Sequence, residues 1–224
     1  MKSDSVSDAV LSRRSIRQFT DHPVTLDLLR RVLDTARWAP SGCNFQPWEA
    51  TVLTGEPLRS LQEKLLTTPA QEPAEYVITP PDIPQEYRDR LAAMGAKQYG
   101  TLGIARGDFD MRAHATAQNA VSFGAPVLLL CHIPRVMGLP QWSDVGMWLQ
   151  TVMLLLVGEG LGSCAQESLF VHGRLIKEFL GVSDESHVFF CGMAIGHPDP
   201  DAPLNRFERT RAPIDEAVRF VGDA

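Results

Sequence analysis

The chain has 224 residues, a formal net charge of −6, and 44% hydrophobic and 21% charged residues. This length can bury a substantial core and favours one domain over residues 1–224, while the acidic balance argues against nucleic acid or an anionic membrane surface as a partner. The longest apolar run, 152–157, is too short to span a bilayer. Because the polar segment 1–12 lacks the layout of a signal peptide, we expect a cytoplasmic location.

Cysteine and histidine patterns indicate no metal site. The four cysteines are scattered without a C-x-x-C pair, and the six histidines show no spacing typical of zinc ligation or of a hydrolytic triad. Cys131 and Cys191 lie inside apolar runs and are expected to be small, reduced core residues. No G-x-G-x-x-G follows a predicted strand, so a Rossmann dinucleotide site is not supported.

Hydrophobic spacing predicts alternating helices and strands in the first third of the chain. A helix is predicted behind Thr25 and ends before Pro40. A strand is predicted over 48–54, with Trp48 packing in the core, and is followed by a helix behind Pro57. Five prolines between residues 67 and 85 exclude a regular element and predict a long surface excursion.

The rest of the chain continues the alternation and ends in an arm. The predicted helices cover about 86–104, 110–123 and 144–160, and the predicted strands cover 126–131 and 187–195. The helix over 144–160 is apolar all round, which predicts a buried helix capped by Asp144. From residue 197 to residue 224 the sequence predicts an arm laid across another surface. Interleaved elements of this kind predict a three-layer α/β or α+β sandwich.

A basic segment, Arg13-Arg14-Ser15-Ile16-Arg17, stands against the overall negative charge. Guanidinium groups bind phosphate oxygens bidentately, and a hydroxyl adds a further donor. A solvated basic turn is the alternative interpretation.

A second polar segment, Ala39-Pro40-Ser41-Gly42-Cys43-Asn44-Phe45-Gln46-Pro47-Trp48, places hydroxyl, amide and glycine between prolines beside an aromatic side chain. Amides and backbone N–H groups near an aromatic edge suit a heteroaromatic ring, although an ordinary Pro/Gly loop is the alternative. Together the two segments favour a flat, partly apolar ligand that bears a phosphate.

With three later segments, this pair resembles the nitroreductase family of FMN-dependent oxidoreductases. The later segments are Trp142–Gly146, Gly160–Ser168 and Arg209–Pro213. The matches run in the family's order from Arg13 to Pro213, which covers nearly the whole chain. The resemblance implies an α+β fold with a mostly antiparallel central sheet flanked by helices. It also implies an intertwined homodimer with a swapped C-terminal arm and FMN at the subunit interface.

The resemblance further implies the residues that bind FMN. Those expected at the phosphate and ribityl chain are Arg13, Arg14, Ser15 and Arg17, joined by Arg209 and Arg211 from the arm. Those expected to reach the flavin from the partner subunit are Pro40, Ser41, Gly42, Asn44 and Gln46. For Arg211 an ion pair with Glu208 or Asp215 is the alternative interpretation.

A third group of expected flavin contacts is Ala165, Gln166, Glu167 and Ser168. The resemblance places the backbone N–H of Glu167 against flavin N5, the atom that accepts and gives hydride. Glu167 would then act through its main chain, with no dedicated acid or base residue. The alternatives are a plain turn with an exposed acid at Glu167 and a general-acid role for Asp144.

The implied activity is transfer of hydride from NADH or NADPH, through flavin N5, to a nitroaromatic or quinone acceptor in a ping-pong cycle. One open, aromatic-lined pocket would serve both substrates in turn, with Phe45, Tyr99 and Phe123 as candidate lining residues. The stretches 12–17 and 102–108 most resemble bacterial reductases of nitrobenzoate-type compounds. Alternatives within the fold are reductive dehalogenation and flavin fragmentation, and a flavin-binding sensor without turnover is the alternative from another class.

Overall fold

The computed structural model describes residues 5–222, so the predicted domain extends beyond the described range at residues 1–4 and 223–224. In chain order the elements are α1 (Val6–Ser12), α2 (Leu26–Ala36), β1 (Glu49–Thr54), α3 (Gly55–Thr67), α4 (Gln85–Thr101), α5 (Phe109–Ala117), β2 (Val127–Pro134), α6 (Leu139–Gly158), β3 (Gly162–Gln166), α7 (Gly173–Leu180), β4 (His187–Gly196) and α8 (Ile214–Ala217). Short 3-10 turns occupy Gly42–Asn44, Ser122–Gly124, Glu167–His172 and Pro203–Asn205.

The strands form an antiparallel sheet in the order β1-β2-β4-β3. Helices α2 and α6 pack on the face that carries Leu129 and Cys131, whereas α3 and α7 pack on the face that carries Leu128 and Leu130. β2 is buried on both faces, which explains its continuous apolar sequence. The predicted three-layer α+β sandwich is therefore confirmed.

Strand β3 is one of the elements that sequence periodicity missed; helix α7 is another. The sequence of β3, Gly-Ser-Cys-Ala-Gln, contains no β-branched or large apolar residue, so it lacks the usual composition of a strand. Position 162 tolerates only glycine, because a Cβ there would lie 2.5 Å from Cγ1 of Ile16. The composition of β3 does not identify it as a strand, whereas its contacts with the basic segment 13–17 do.

Two predicted helix boundaries are wrong. α5 ends at Ala117 instead of 123, because Ser122 and Phe123 adopt positive φ angles of 53° and 55° that no helix accepts. α6 begins at Leu139, so Asp144 lies inside the helix and does not cap it as predicted. The predicted Thr25 cap is confirmed, since its side chain accepts a hydrogen bond from the backbone N–H of Leu28.

Two long segments, the Pro-rich excursion and the C-terminal arm, hold little regular structure. Residues 68–84 contain no helix or strand. The described part of the arm, residues 197–222, holds an isolated bridge from Pro198 to Phe19, the turn Pro203–Asn205 and the short helix α8. The arm's last described residues expose apolar side chains, and Phe220 is 76% exposed.

Further observations concern cysteines, metals and membranes. All four cysteines are free, and Cys131 and Cys191 are buried as predicted. Residues 5–222 bring no three His, Cys, Asp or Glu side chains together in a way that could hold a metal ion. Within the same residues no helix combines the length and apolar character needed to cross a bilayer.

Candidate functional site

The basic segment 13–17 leaves α1 and runs beside β3. Ser15 pairs with Ser163 in a parallel bridge, and the backbone N–H of Ile16 donates to the carbonyl of Ser163 at 2.9 Å. Ile16 is buried against Gly162, which anchors the segment. Since neighbouring side chains of an extended segment point to opposite sides, burial of Ile16 directs Ser15 and Arg17 the other way.

All six residues predicted to bind the phosphate line a single cleft, which we call the arginine cleft. They are Arg13, Arg14, Ser15, Arg17, Arg209 and Arg211. Its other lining residues, Met94, Leu204, Phe207 and Thr210, are uncharged. Among the described residues, the cleft therefore gathers positive charge with no carboxylate in its lining.

Two of these arginines fasten the C-terminal arm to the N-terminal segment. Arg209 donates to the backbone carbonyls of Leu11 and Arg13, and Arg14 donates to the carbonyl of Asn205. Arg209 thus has a structural bond as well as a place in the cleft. The alternative interpretation of Arg211, an ion pair with Glu208 or Asp215, is not observed: Glu208 pairs with Lys97 at 3.2 Å, and Arg211 donates to the carbonyl of Thr210.

The arginines of the cleft repel one another. Burial lowers the pKa of Arg13, and the charge of Arg211 lowers it further. The pKa of Arg209 is lowered first by burial and then by three neighbouring arginines of the cleft. Because a guanidinium stays charged in proteins, these shifts indicate charge that is disfavoured by burial and then by neighbouring arginines, and a bound anion would stabilise it. A phosphate monoester, with nearly two negative charges, fits this cleft.

A second cavity adjoins the arginine cleft, since Arg17 lines both. Its volume is about 440 Å³, and we call it the Gln166 cavity. The predicted site residues in its wall are Tyr99, Phe123, Ala165, Gln166, Glu167 and Ser168. The structure thereby brings the phosphate-binding and flavin-binding candidates of one chain into neighbouring positions.

The Gln166 cavity contains polar atoms without partners in the described part of the chain. Gln166 Nε2 donates to the carbonyl of Asn119 at 2.8 Å, whereas its Oε1 and the Oγ of Ser168 are buried and unpaired. Glu167 begins a 3-10 turn, where a backbone N–H has no acceptor within the helix. Because an unpaired buried polar atom costs about 1–3 kcal/mol, a ligand with complementary donors and acceptors would be favoured here. A flavin ring carries both kinds of group, so these residues fit FMN.

The loop 40–46 is held in place by local bonds. The backbone N–H of Gly42 donates to the carboxylate of Asp144 at 3.2 and 3.3 Å. Gln46 donates from its side-chain amide to the carbonyl of Asn44 at 3.0 Å, so its Nε2 is already used within the loop. Cys43, Asn44 and Gln46 all have positive φ angles, between 49° and 58°.

This loop lines neither the arginine cleft nor the Gln166 cavity. Within one chain, the structure therefore does not bring the following predicted residues to the rest of the site: Pro40, Ser41, Gly42, Asn44, Phe45 and Gln46. Phe45 is 56% exposed, whereas the other two predicted substrate-lining residues, Tyr99 and Phe123, lie in the wall of the cavity. The predicted contacts of the loop would require a second copy of the chain.

The Pro-rich excursion is anchored beside the cavity by a cluster of four charged residues that we call the anchor cluster. Lys177 is fully buried, and its Nζ lies 2.7 Å from Oε1 of Glu75. Arg135 contacts the same oxygen at 2.7 Å, and Asp184 lies 2.5 Å from the Lys177 ammonium. Three residues after Glu75, Ile78 lines the Gln166 cavity, so the anchor cluster determines where the excursion meets the site.

Sequence reasoning missed several residues of the site. Asn205 is buried and accepts from the backbone N–H of Arg17 at 2.9 Å, while its Nδ2 donates to the carbonyl of Gln18 at 2.8 Å. Gln98 and Ile78 line the Gln166 cavity. None of these lies in a motif, and only the tertiary fold brings them near the basic segment.

Fold and site together define an α+β protein whose adjoining cleft and cavity fit a ring-bearing phosphate ligand. The model of the "Nitroreductase family" matches residues 10–197. A 4-nitrobenzoate reductase of Pseudomonas putida is 36% identical over 222 residues, covering 98% of this chain and 96% of the relative. The chain belongs to the nitroreductase family.

Solved structures agree with this assignment. The FMN and NADPH-dependent nitroreductase NfnB from Sphigopyxis sp. strain HMH matches with a TM-score of 0.94 and 44% identity, covering 97% of this chain and 99% of that one. The FMN-dependent NfnB from Mycobacterium smegmatis, solved in complex with NADPH, matches with a TM-score of 0.91 and 28% identity, covering 96% and 97%.

Proposed function

We propose that this chain, as a single domain, is an FMN-dependent oxidoreductase that passes hydride from NADH or NADPH to nitroaromatic or quinone acceptors. The observation that carries the proposal is the arginine cleft, which adjoins the Gln166 cavity at Arg17. Family membership supports it, as do the relatives, which are named as nitroreductases and described as dependent on FMN and NADPH.

The cleft and the cavity would divide the cofactor between them. Arg13, Ser15 and Arg17 would hold the phosphate and ribityl chain, with Arg211 closing from the arm. Guanidinium groups suit this task because each offers a fixed fork of donors to phosphate oxygens. When bound, FMN supplies the chemistry of hydride uptake and release.

The segment 165–168 would orient the reacting ring. The backbone N–H of Glu167 is our candidate donor to flavin N5, and the unpaired Oε1 of Gln166 and Oγ of Ser168 are candidate partners for other polar groups of the ring. A backbone donor does not titrate, so its contribution would be the same at every pH at which the protein is folded. The exposed carboxylate of Glu167 has no part in this role.

One cavity would serve both substrates in turn. Tyr99 and Phe123 provide aromatic surface in its wall, which suits a nicotinamide and a nitroaromatic ring equally. Because the two rings would compete for the same space, the oxidised nicotinamide would leave before the acceptor enters. This order defines a ping-pong cycle in which the protein positions each ring and excludes water.

A homodimer would complete the site. The side chains of Trp38, Phe45 and Phe220 are 77%, 56% and 76% exposed, which marks apolar surface available to a partner. In a second copy, the loop 40–46 would reach the flavin at the subunit interface. Size-exclusion chromatography with light scattering checks this part, since a monomer that binds FMN tightly would contradict it.

Oxidation of NADPH and of NADH by the purified, FMN-loaded protein tests the function. We expect turnover that depends on an added nitroaromatic or quinone, with parallel lines in double-reciprocal plots across acceptor concentrations. Absence of acceptor-dependent turnover across a panel would overturn the proposal. Halide release from a halophenol would indicate dehalogenation, loss of flavin with oxygen uptake would indicate flavin fragmentation, and stable flavin without turnover would indicate a sensor.

A further inference from the structure

Arg112, on α5, carries a buried donor without an acceptor. Its Nε makes no hydrogen bond within the described residues. Its guanidinium carbon lies over the ring of Tyr99, 4.3 Å from the centroid, so the charge contacts an aromatic face. Because burying a cationic donor without a partner is unfavourable, this position favours an acceptor from outside the chain.

Arg112 lines a cavity of about 730 Å³ together with Arg106. The rest of its lining is uncharged, mostly small residues of α4, so no carboxylate of this lining neutralises the two guanidinium groups. We call it the Arg112 cavity. Arg106 is exposed at the side chain, which leaves it accessible to a ligand that enters from solvent.

The Arg112 cavity adjoins the Gln166 cavity. Tyr99 and Leu91 line both, so the ring that Arg112 contacts also forms part of the wall of the candidate reaction site. A substrate whose reacting ring occupies the Gln166 cavity would place a substituent beyond Tyr99 within reach of Arg112.

We propose that Arg112, assisted by Arg106, binds an oxyanion carried by one of the two substrates. Guanidinium groups bind carboxylate and phosphate bidentately, and the contact with the Tyr99 ring restricts the Arg112 side chain before the ligand arrives. The oxyanion belongs either to a carboxylated aromatic acceptor or to the phosphate group by which NADPH differs from NADH. This inference rests on the proposed function, which places the reacting ring in the Gln166 cavity.

The variant Arg112→Gln tests the proposal in the FMN-loaded protein with matched pairs of ligands. Isothermal titration calorimetry compares benzoate with benzamide, and steady-state kinetics compare 4-nitrobenzoate with 4-nitrobenzamide. If the acceptor carries the oxyanion, Kd and KM for the acids rise about tenfold to a hundredfold, while those for the amides change by less than about twofold. Arg112→Lys retains the charge without the fork and recovers part of the loss.

The second arm compares NADPH with NADH, which differ by one phosphate group. If that phosphate is the bound oxyanion, Arg112→Gln raises the KM for NADPH by a similar factor and leaves the KM for NADH and the acid-to-amide ratio unchanged. Either pattern supports the oxyanion site and identifies its source.

The matched control is Arg59→Gln, which removes one charge from an exposed pair with Glu56 and touches neither cavity. Equal effects of Arg112→Gln on acid and amide and on NADPH and NADH, with flavin content retained, would overturn the proposal. So would dissociation of the oligomer, because Arg112 would then pair with a second copy. Failure of the proposed function is a separate result, since it appears as absent turnover of the neutral amide by the unaltered protein while the calorimetric comparison stays measurable.

Discussion

The anchor cluster and the arginine cleft both concentrate charge near the Gln166 cavity, yet only the anchor cluster balances it. In the anchor cluster, Lys177 and Arg135 face the carboxylates of Glu75 and Asp184. In the arginine cleft, five arginines meet no carboxylate in the lining. The anchor cluster balances its charges within the chain and serves the fold, although Oε2 of Glu75 has no hydrogen-bond partner among the described residues. The arginine cleft would need a bound anion to balance its charge.

The pKa shifts of the two regions have opposite physical meanings although both are downward. A hydrogen bond from Lys177 lowers the pKa of Asp184, which means that the charged form of an acid is stabilised. Burial and then a neighbouring arginine lower the pKa of Arg13, which means that the charged form of a base is destabilised. A lowered pKa therefore has to be interpreted by the type of group. For an acid it indicates a charge that the fold already stabilises, and for a base it indicates a charge that a bound anion would stabilise.

The largest expected effect is loss of FMN from the arginine cleft. The double variant Arg13→Ala/Arg211→Ala removes two charge-assisted contacts of about 1.5–3 kcal/mol each, so the Kd for FMN should rise about a hundredfold to ten-thousandfold. Quenching of flavin fluorescence on titration measures it. The melting temperature of the FMN-free variant should not fall below that of the FMN-free unaltered protein, because the substitutions remove repulsion between arginines of the cleft. Unchanged FMN affinity would refute the phosphate assignment, and Arg59→Ala serves as the control.

Substitutions in the anchor cluster should lower the stability of the fold. Lys177→Met leaves the buried carboxylate of Glu75 without its nearest buried cation, which should cost about 3–5 kcal/mol in the free energy of unfolding by urea. The double variant Lys177→Met/Glu75→Gln removes both charges and should cost less than the sum of the single changes. Strict additivity would show that the pair is not coupled.

We expect the free energy of unfolding to depend on pH through His132, which is influenced by Lys177 of the anchor cluster. Burial lowers the pKa of His132 from 6.5 to about 4, with further lowering by His187 and Lys177 against an opposing effect of Glu49. Between these values the unfolded chain binds the proton and the folded chain does not. Stability from this group is therefore complete above about pH 6.5 and declines as the pH falls toward 4, by at most about 1.4 kcal/mol per pH unit.

Urea unfolding at several pH values measures this decline, and His132→Gln should flatten it. The same slope in the variant would assign the effect to another group. Arginines do not titrate in this range, so the arginine cleft should contribute nothing to it.

The smallest effect on turnover is expected for substitution of Asp144, whose carboxylate is bound by a backbone N–H instead of by a positively charged side chain. Asp144 accepts from the N–H of Gly42, and Asp144→Asn retains an acceptor there. Turnover should stay within about twofold, since the residue positions a loop. A fall of a hundredfold or more would instead support the general-acid role.

Local patterns made part of this molecule predictable. A shared location for Arg13, Ser15 and Arg17 could be predicted because they lie within five consecutive residues, and all three line the arginine cleft. Strand β2 could be predicted because a strand buried on both faces has a continuous apolar sequence. Both features need no knowledge of distant partners.

The remaining features depend on contacts between distant parts of the chain. Lys177 and Glu75 are 102 residues apart, so no local pattern joins them. β3 has the composition of a loop and becomes a strand through pairing with β4. The cap assigned to Asp144 failed because apolar periodicity begins inside α6, after the helix has already started at Leu139.

The bonds from Arg209 to the carbonyls of Leu11 and Arg13 give cofactor uptake a structural consequence. Arg209 lines the cleft proposed to hold the phosphate and also ties the arm to the N-terminal segment, so occupancy of the cleft and attachment of the arm would be thermodynamically linked. Flavin supply would then control maturation of the polypeptide as well as its chemistry. A chain made in flavin-poor cells should expose its C-terminal segment to proteases, and FMN should protect that segment.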